Sequence, residues 1–262
     1  MNYFLLSVMI FGVAGLGMLF LGRFRKLCDT LFLLSLISAC GFGLASGILV
    51  LWSGHTFQVR LPWNVPLGEF WIGLDAVSAF FLIAVMILSL ATGLFGYGYL
   101  RDSKQNKKIS VHYFLFYLLI LTNLMIIAAK NAVLFLMAWE LMTVSSFFLV
   151  TFYDEREEVR KAGYLYLIAT HICTFFLLVM FLLMGQLAGS MNFDQMKMVS
   201  YPPIVAGIIF LPAFYRNFQT HYGKLFPVVT TSRAQPAAAL NDVLKVLPIT
   251  ELQREQLKSI LK

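Results

Sequence analysis

Residues 129–153 read AKNAVLFLMAWELMTVSSFFLVTFY, an apolar run with one carboxylate, Glu140, at its centre. A helix that crosses a bilayer needs about 20 mostly apolar residues, and this run supplies them. The question it poses is why an acid sits in the middle. Five further runs of the same kind flank it, at about 3–21, 29–52, 73–99, 112–129 and 163–187, with this one at 132–152. A seventh, about 202–215, is shorter and holds Pro202, Pro203 and Pro212. The first run has no basic residue ahead of it and too long an apolar core for a signal peptide, so it reads as an uncleaved span.

The composition agrees. Of 262 residues, 60% are apolar and 13% charged, with 25 Phe. A soluble domain is about 45–50% apolar and about 25% charged. The expected fold is therefore all-α: a polytopic transmembrane helix bundle of six or seven spans. The expected domains are a transmembrane region over 1–215 and a polar cytoplasmic tail over 216–262. In the tail, Thr250 as N-cap and Glu251 in the first turn predict a short amphipathic helix.

The net charge of +7 is a topology signal. The loops after spans 1, 3 and 5 hold Arg23, Arg25, Lys26, Arg101, Lys104, Lys107, Lys108, Arg156, Arg160 and Lys161. The loops after spans 2, 4 and 6 hold only Arg60, Lys130 and Lys197. Cytoplasmic loops are the basic ones, which predicts the N-terminus outside. Seven spans would also bring the basic tail inside. No nucleic-acid-binding motif is present, so the partner implied by the charge is the lipid bilayer and not nucleic acid.

Ionisable groups inside spans are costly and point to function. Glu140 lies about ten residues from Lys130 and about thirteen from Tyr153, near the midplane at about 1.5 Å per residue. A carboxylate there pairs with a cation, lines a wet cavity, or stays protonated. Each suits a proton relay; the bland alternative is a neutral acid bonded to the helix backbone. His171, in AGYLYLIATHICTFFLL, lies on the next span at similar depth. An imidazole there passes protons or is a satisfied core residue beside Thr170 and Thr174. Asp75 opens the third span as an N-cap-like acid, and Lys130 snorkels at the outer interface. These two are secondary candidates. Cys28, Cys40 and Cys173 make no metal spacing, and no P-loop, GxGxxG or CxxC occurs. No cofactor or metal site is expected.

Several stretches resemble one family. Asn131 to Met142, with Trp139-Glu140-Leu141-Met142 at its end, and Ser145 to Val150 are similar to the antiporter-like membrane subunits of respiratory complex I, Mrp cation/proton antiporters and membrane-bound hydrogenases. Arg160-Lys161-Ala162-Gly163, Tyr166-Leu167, Ala169-Thr170-His171-Ile172 and Gly73 to Phe81 most resemble the hydrogenase-4 component B and formate hydrogenlyase subunit 3 branch. The resemblance implies a proton-translocating subunit of a hydrogenase or complex I-related oxidoreductase. It assigns the central proton-pathway role to Glu140; His171, by its depth beside it, is the expected relay. It places the redox cofactors on partner subunits, and the chain in the inner (plasma) membrane. In the family the Glu works with a Lys on a broken seventh helix. Here no Lys occurs between Lys197 and Lys224, and the tail has no counterpart. The expectation is thus the N-terminal part of such a subunit with a replaced end. The rivals are a non-pumping structural subunit or remnant, and an unrelated small ion transporter.

Overall fold

The computed structural model describes residues 2–54, 56–61, 63, 68–100, 106–152 and 155–200. The expected seventh span and the cytoplasmic tail lie outside the described residues. Within them, six helices are long and apolar enough to cross a membrane. They are α1 (Asn2–Leu21), α2 (Arg25–Ser53), α3 (Ala76–Leu100), α4 (Asn106–Ala128), α5 (Ala132–Val150) and α6 (Glu157–Ala188), followed by a single turn, α7 (Phe193–Met196).

Two short strands were not expected from the sequence. β1 (Phe57–Leu61) pairs antiparallel with β2 (Phe70–Leu74), Val59 opposite Ile72. Gly73 and Leu74 read as the start of the third span; they end β2 instead, and the helix begins at Ala76. β2 is buried along four of its five residues because it lies under the end of α4, bridging Ile72 to Ala129. Gly73 leaves room at this crossing. A Cβ there would come within 3.0 Å of both the Phe57 carbonyl oxygen and Lys130 Cε. α6 begins six residues before the expected 163, at Glu157, and its acidic first turn favours that start electrostatically.

The ends of the helices sort into two layers. The connections after α2, α4 and α6 meet at one end. The Lys130 N–H donates to the Trp71 carbonyl, the Phe193 N–H to the Lys130 carbonyl, and the Ala132 N–H to the Met191 carbonyl, each at 2.9–3.0 Å. The start of α1 belongs to this end, where Phe4 lies 6.3 Å from Phe57. At the other end, Arg25 Nη2 donates to the Leu100 carbonyl at 2.6 Å, and His112 packs on Phe152 with ring centroids 4.7 Å apart. The basic connections thus share one end, which the positive-inside rule assigns to the cytoplasm.

The core is centred on α1, α2 and α4. Phe32 stacks between Tyr113 and Tyr117, at 4.0 and 5.1 Å. Tyr117 Oη lies 2.8 Å from Ser35 Oγ, so the phenol stays satisfied inside the bundle. At the inner end Asp29 accepts from Tyr113 Oη at 3.0 Å and pairs with Arg25 at 3.5 Å. α5 and α6 sit on the α4 side of this core. Their inner ends approach closely at Gly163, where a Cβ would run into Thr151 Cγ2.

Candidate functional site

α5 starts where Asn131 stops the preceding turn. Its side chain accepts from the N–H groups of Val133 and Leu134, at 2.9 and 3.4 Å, and donates to the Asn192 side chain at 2.8 Å. This cap fixes the outer end of the helix and leaves Glu140 eight residues into its 19. From the cytoplasmic side, α6 runs back antiparallel, and His171 reaches the same level.

Matching depth does not fix rotation, but the fold brings the two side chains together. Glu140 Oε2 lies 3.8 Å from His171 Nε2. His171 Nδ1 is 2.9 Å from the Leu167 carbonyl of its own helix. A carbonyl accepts only, so Nδ1 carries the hydrogen, and Nε2 is the ring nitrogen turned toward Glu140. The separation exceeds hydrogen-bond length and suits one bridging water or a small side-chain movement. A carboxylic acid facing a free imidazole nitrogen can exchange a proton with it, which is the elementary step of a relay. The pair is also half open. The side chains are 39% and 53% exposed, on the outward-facing side of α5 and α6. Thr170 and Thr174, read as packing glue, bond backward to carbonyls of α6 itself.

Asp75 and Lys130 form a second pair that the sequence reading kept apart. Asp75 is the N-cap-like acid expected: its Oδ1 accepts from the Ser78 N–H at 2.8 Å. Its other oxygen receives Lys130 Nζ at 2.7 Å. Lys130 is therefore held inward, 14% exposed, and does not reach out along the interface. Burial pushes the Asp75 carboxyl up, but the ammonium of Lys130 and the donors of Ser78 outweigh it and hold the group at about 2. The available signal was that an acid and a base both open spans at the outer level. Asn131 was missed as well, although Asn directly before an apolar run is a helix-start signal.

Among the described residues, no three His, Cys, Asp or Glu side chains gather as metal ligands. His112 packs on Phe152 at the inner end of α4.

Residues 129–221 match the family described as NADH:quinone oxidoreductase/Mrp antiporter, transmembrane. Hydrogenase-4 component B of Escherichia coli is 27% identical over 232 residues, covering 88% of this chain and 34% of its own length. An uncharacterized protein of Mycobacterium tuberculosis is 29% identical over 151 residues, covering 58% of this chain and 23% of that one. The chain thus spans about a third or less of the length of these curated relatives. Among solved structures, a chain of the membrane-bound sulfane sulfur reductase, an archaeal respiratory membrane complex, superimposes with a TM-score of 0.66 at 19% identity. That match covers 79% of this chain and 42% of the other. At that identity the likeness establishes the fold. Both the Glu140 helix and the His171 helix fall inside the family match. The six apolar helices and these relatives make the chain a multi-pass membrane protein, and an inner (plasma) membrane location fits complexes of this bacterial and archaeal kind.

Proposed function

We propose, from the premise that residues 129–221 carry an antiporter-like membrane region of the NADH:quinone oxidoreductase/Mrp type, that this chain is a proton-translocating membrane subunit. Its setting would be a membrane-bound hydrogenase or another complex I-related assembly, with other membrane and redox subunits as partners. The carrying observation is the mid-membrane Glu140–His171 pair at 3.8 Å. Glu140 holds the proton within the span. His171, with Nδ1 occupied by the Leu167 carbonyl, takes it on Nε2 and returns it as the local charge changes. Redox chemistry stays with the partners; this chain contributes protonatable groups and the helices that align them.

The test has two steps. The tagged full chain is purified from gently solubilised membranes, and the accompanying proteins are identified by mass spectrometry. Hydrogenase or complex I-type subunits in fixed ratio support the reading. Glu140→Gln is then introduced. Loss of coupled proton movement, with the subunit ratio unchanged, supports the pump; undiminished proton movement overturns it and leaves a docking subunit. A chain that emerges alone overturns the assembly reading and brings forward an independent transporter.

A further inference from the structure

Lys130 is held from several directions at the outer end of α5. Its N–H donates to Trp71 of β2 and its carbonyl accepts from Phe193. Its aliphatic stem lies against Gly73, and its ammonium sits 2.7 Å from Asp75. It stands two residues before α5, at the helix end where the backbone dipoles already place partial positive charge. Glu140 is ten residues further along the same strand of chain, about 15 Å at helical rise.

We propose that the Asp75–Lys130 pair balances the charge at the outer end of α5 and so sets how readily Glu140 releases its proton. This rests on the reading of Glu140 as the proton carrier. With the pair closed, Asp75 cancels the ammonium and Glu140 faces a nearly neutral helix end. With Asp75 uncharged, Lys130 becomes an unmatched positive charge aimed down the helix, and the carboxylate form of Glu140 gains. With Lys130 removed, Asp75 is left unmatched and the protonated form gains. At about 15 Å and an effective dielectric of about 20, one unit charge changes a proton affinity by about sixfold. Aqueous screening at the outer surface reduces that to roughly three- to sixfold.

Among the described residues, further charged and titratable groups near these positions have their own places, Glu69 standing just ahead of β2, where its carbonyl accepts from the Trp71 N–H. α6 presents His171 to Glu140. On α4, Tyr113 and Tyr117 bond toward α2, and His112 is at the inner end. At the outer end, Arg60 lies over the Trp71 ring at 3.6 Å, and Asp194 pairs with Lys197 at 3.8 Å.

The experiment follows the Glu140 carboxylic acid C=O stretch by infrared difference spectroscopy across pH. It uses the full chain in phosphatidylethanolamine/phosphatidylglycerol vesicles, with the band assigned by its loss in Glu140→Gln. Asp75→Asn should move the midpoint down and Lys130→Gln up, each by roughly 0.5–0.8 pH unit, the same three- to sixfold change. The double variant should return close to wild type. The charge-swapped D75K/K130D chain keeps an ion pair and its contribution to folding. It places the negative charge nearer Glu140, so its midpoint should rise. Identical midpoints in wild type and the swapped chain, or single variants that move in the same direction, overturn the proposal and leave a purely structural latch. A Glu140 band that titrates in none of the chains defeats the proton-carrier reading itself, a separate outcome from titration without shifts.

Discussion

The α1–α4 unit and the α5–α6 pair are built from equally apolar sequence and packed very differently. α2 buries 39% of its most apolar stretch and α1 33%, whereas α6 buries none. Within 32 residues of α6 only Gly163, Phe181 and Gly185 are buried. The α1–α4 unit spends its polar groups internally: Ser35 on Tyr117, Tyr113 on Asp29, Ser7 on the Ala39 carbonyl. The α5–α6 pair leaves its ionisable groups half open at mid-span. In lipid there is no water to satisfy an exposed carboxylate. A closed core serves stability, and Glu140 and His171 stand outside it. Hydropathy does not distinguish the two; packing does.

Predictions that test this contrast run from large to small. Glu140→Gln should abolish coupled proton movement, read with a pH-sensitive dye in vesicles, without lowering the amount of inserted protein. His171→Gln keeps a polar side chain but removes the titrating nitrogen, and should slow the same flux by about 10²-fold, at the low end for a proton-transfer group. Both changes sit in the open pair and should leave resistance to unfolding within about 0.5 kcal/mol. Phe32→Ala is the converse. It empties the stack between Tyr113 and Tyr117 and should cost about 3–5 kcal/mol in a denaturant or steric-trapping measurement. A Phe32→Ala chain as stable as wild type would mean the α1–α4 unit is not the stabilising core. Between these lies Gly163→Ala, which puts a methyl group into Thr151 where α5 and α6 approach. It should cost about 1–3 kcal/mol by forced separation and reduce flux as well, because the same approach holds His171 against Glu140.

Much of the architecture could be read from the sequence because lipid imposes a strong rule: apolar runs of spanning length and basic loops on alternate sides. Glu140 stood out as a carboxylate at the middle of a span, where Asp29 and Asp75 lie at span ends, and His171 by its matching depth. That they face each other was not readable. A helix can rotate without altering its depth; here α5 and α6 approach closely at Gly163, and Asn131 caps α5. The Asp75–Lys130 pair escaped for a related reason. The two residues are 55 positions apart and meet only because β2 carries the chain under the end of α4. That hairpin was itself hidden. Phe70 to Leu74 is as apolar as the helix that follows, so the run offers no visible boundary until Asp75 caps α3.

The smallest effect concerns the outer end, where the two regions are joined. Asp75 ionises at about 2 in the folded chain, below its ordinary 3.8, because Lys130 and Ser78 favour the carboxylate. A carboxyl depressed by folding stabilises the folded state wherever it is ionised in both states. Its contribution is therefore fully present above about pH 5 and is lost as the pH falls from about 4 through 2. The side chain is 41% exposed, so solvent screening leaves the contribution near the scale of a surface ion pair, about 0.5–1 kcal/mol. Unfolding measured from pH 6 to pH 2 should show this loss in wild type and not in Asp75→Asn, after subtraction of the titration common to both. The loss should appear at the β2–α4–α5 junction first, as faster amide exchange at Lys130 and Phe193, whose N–H bonds cross it. Equal slopes in the two chains would mean that the backbone bonds alone hold the junction. The ion pair would then be free to open without loosening the helix that carries Glu140.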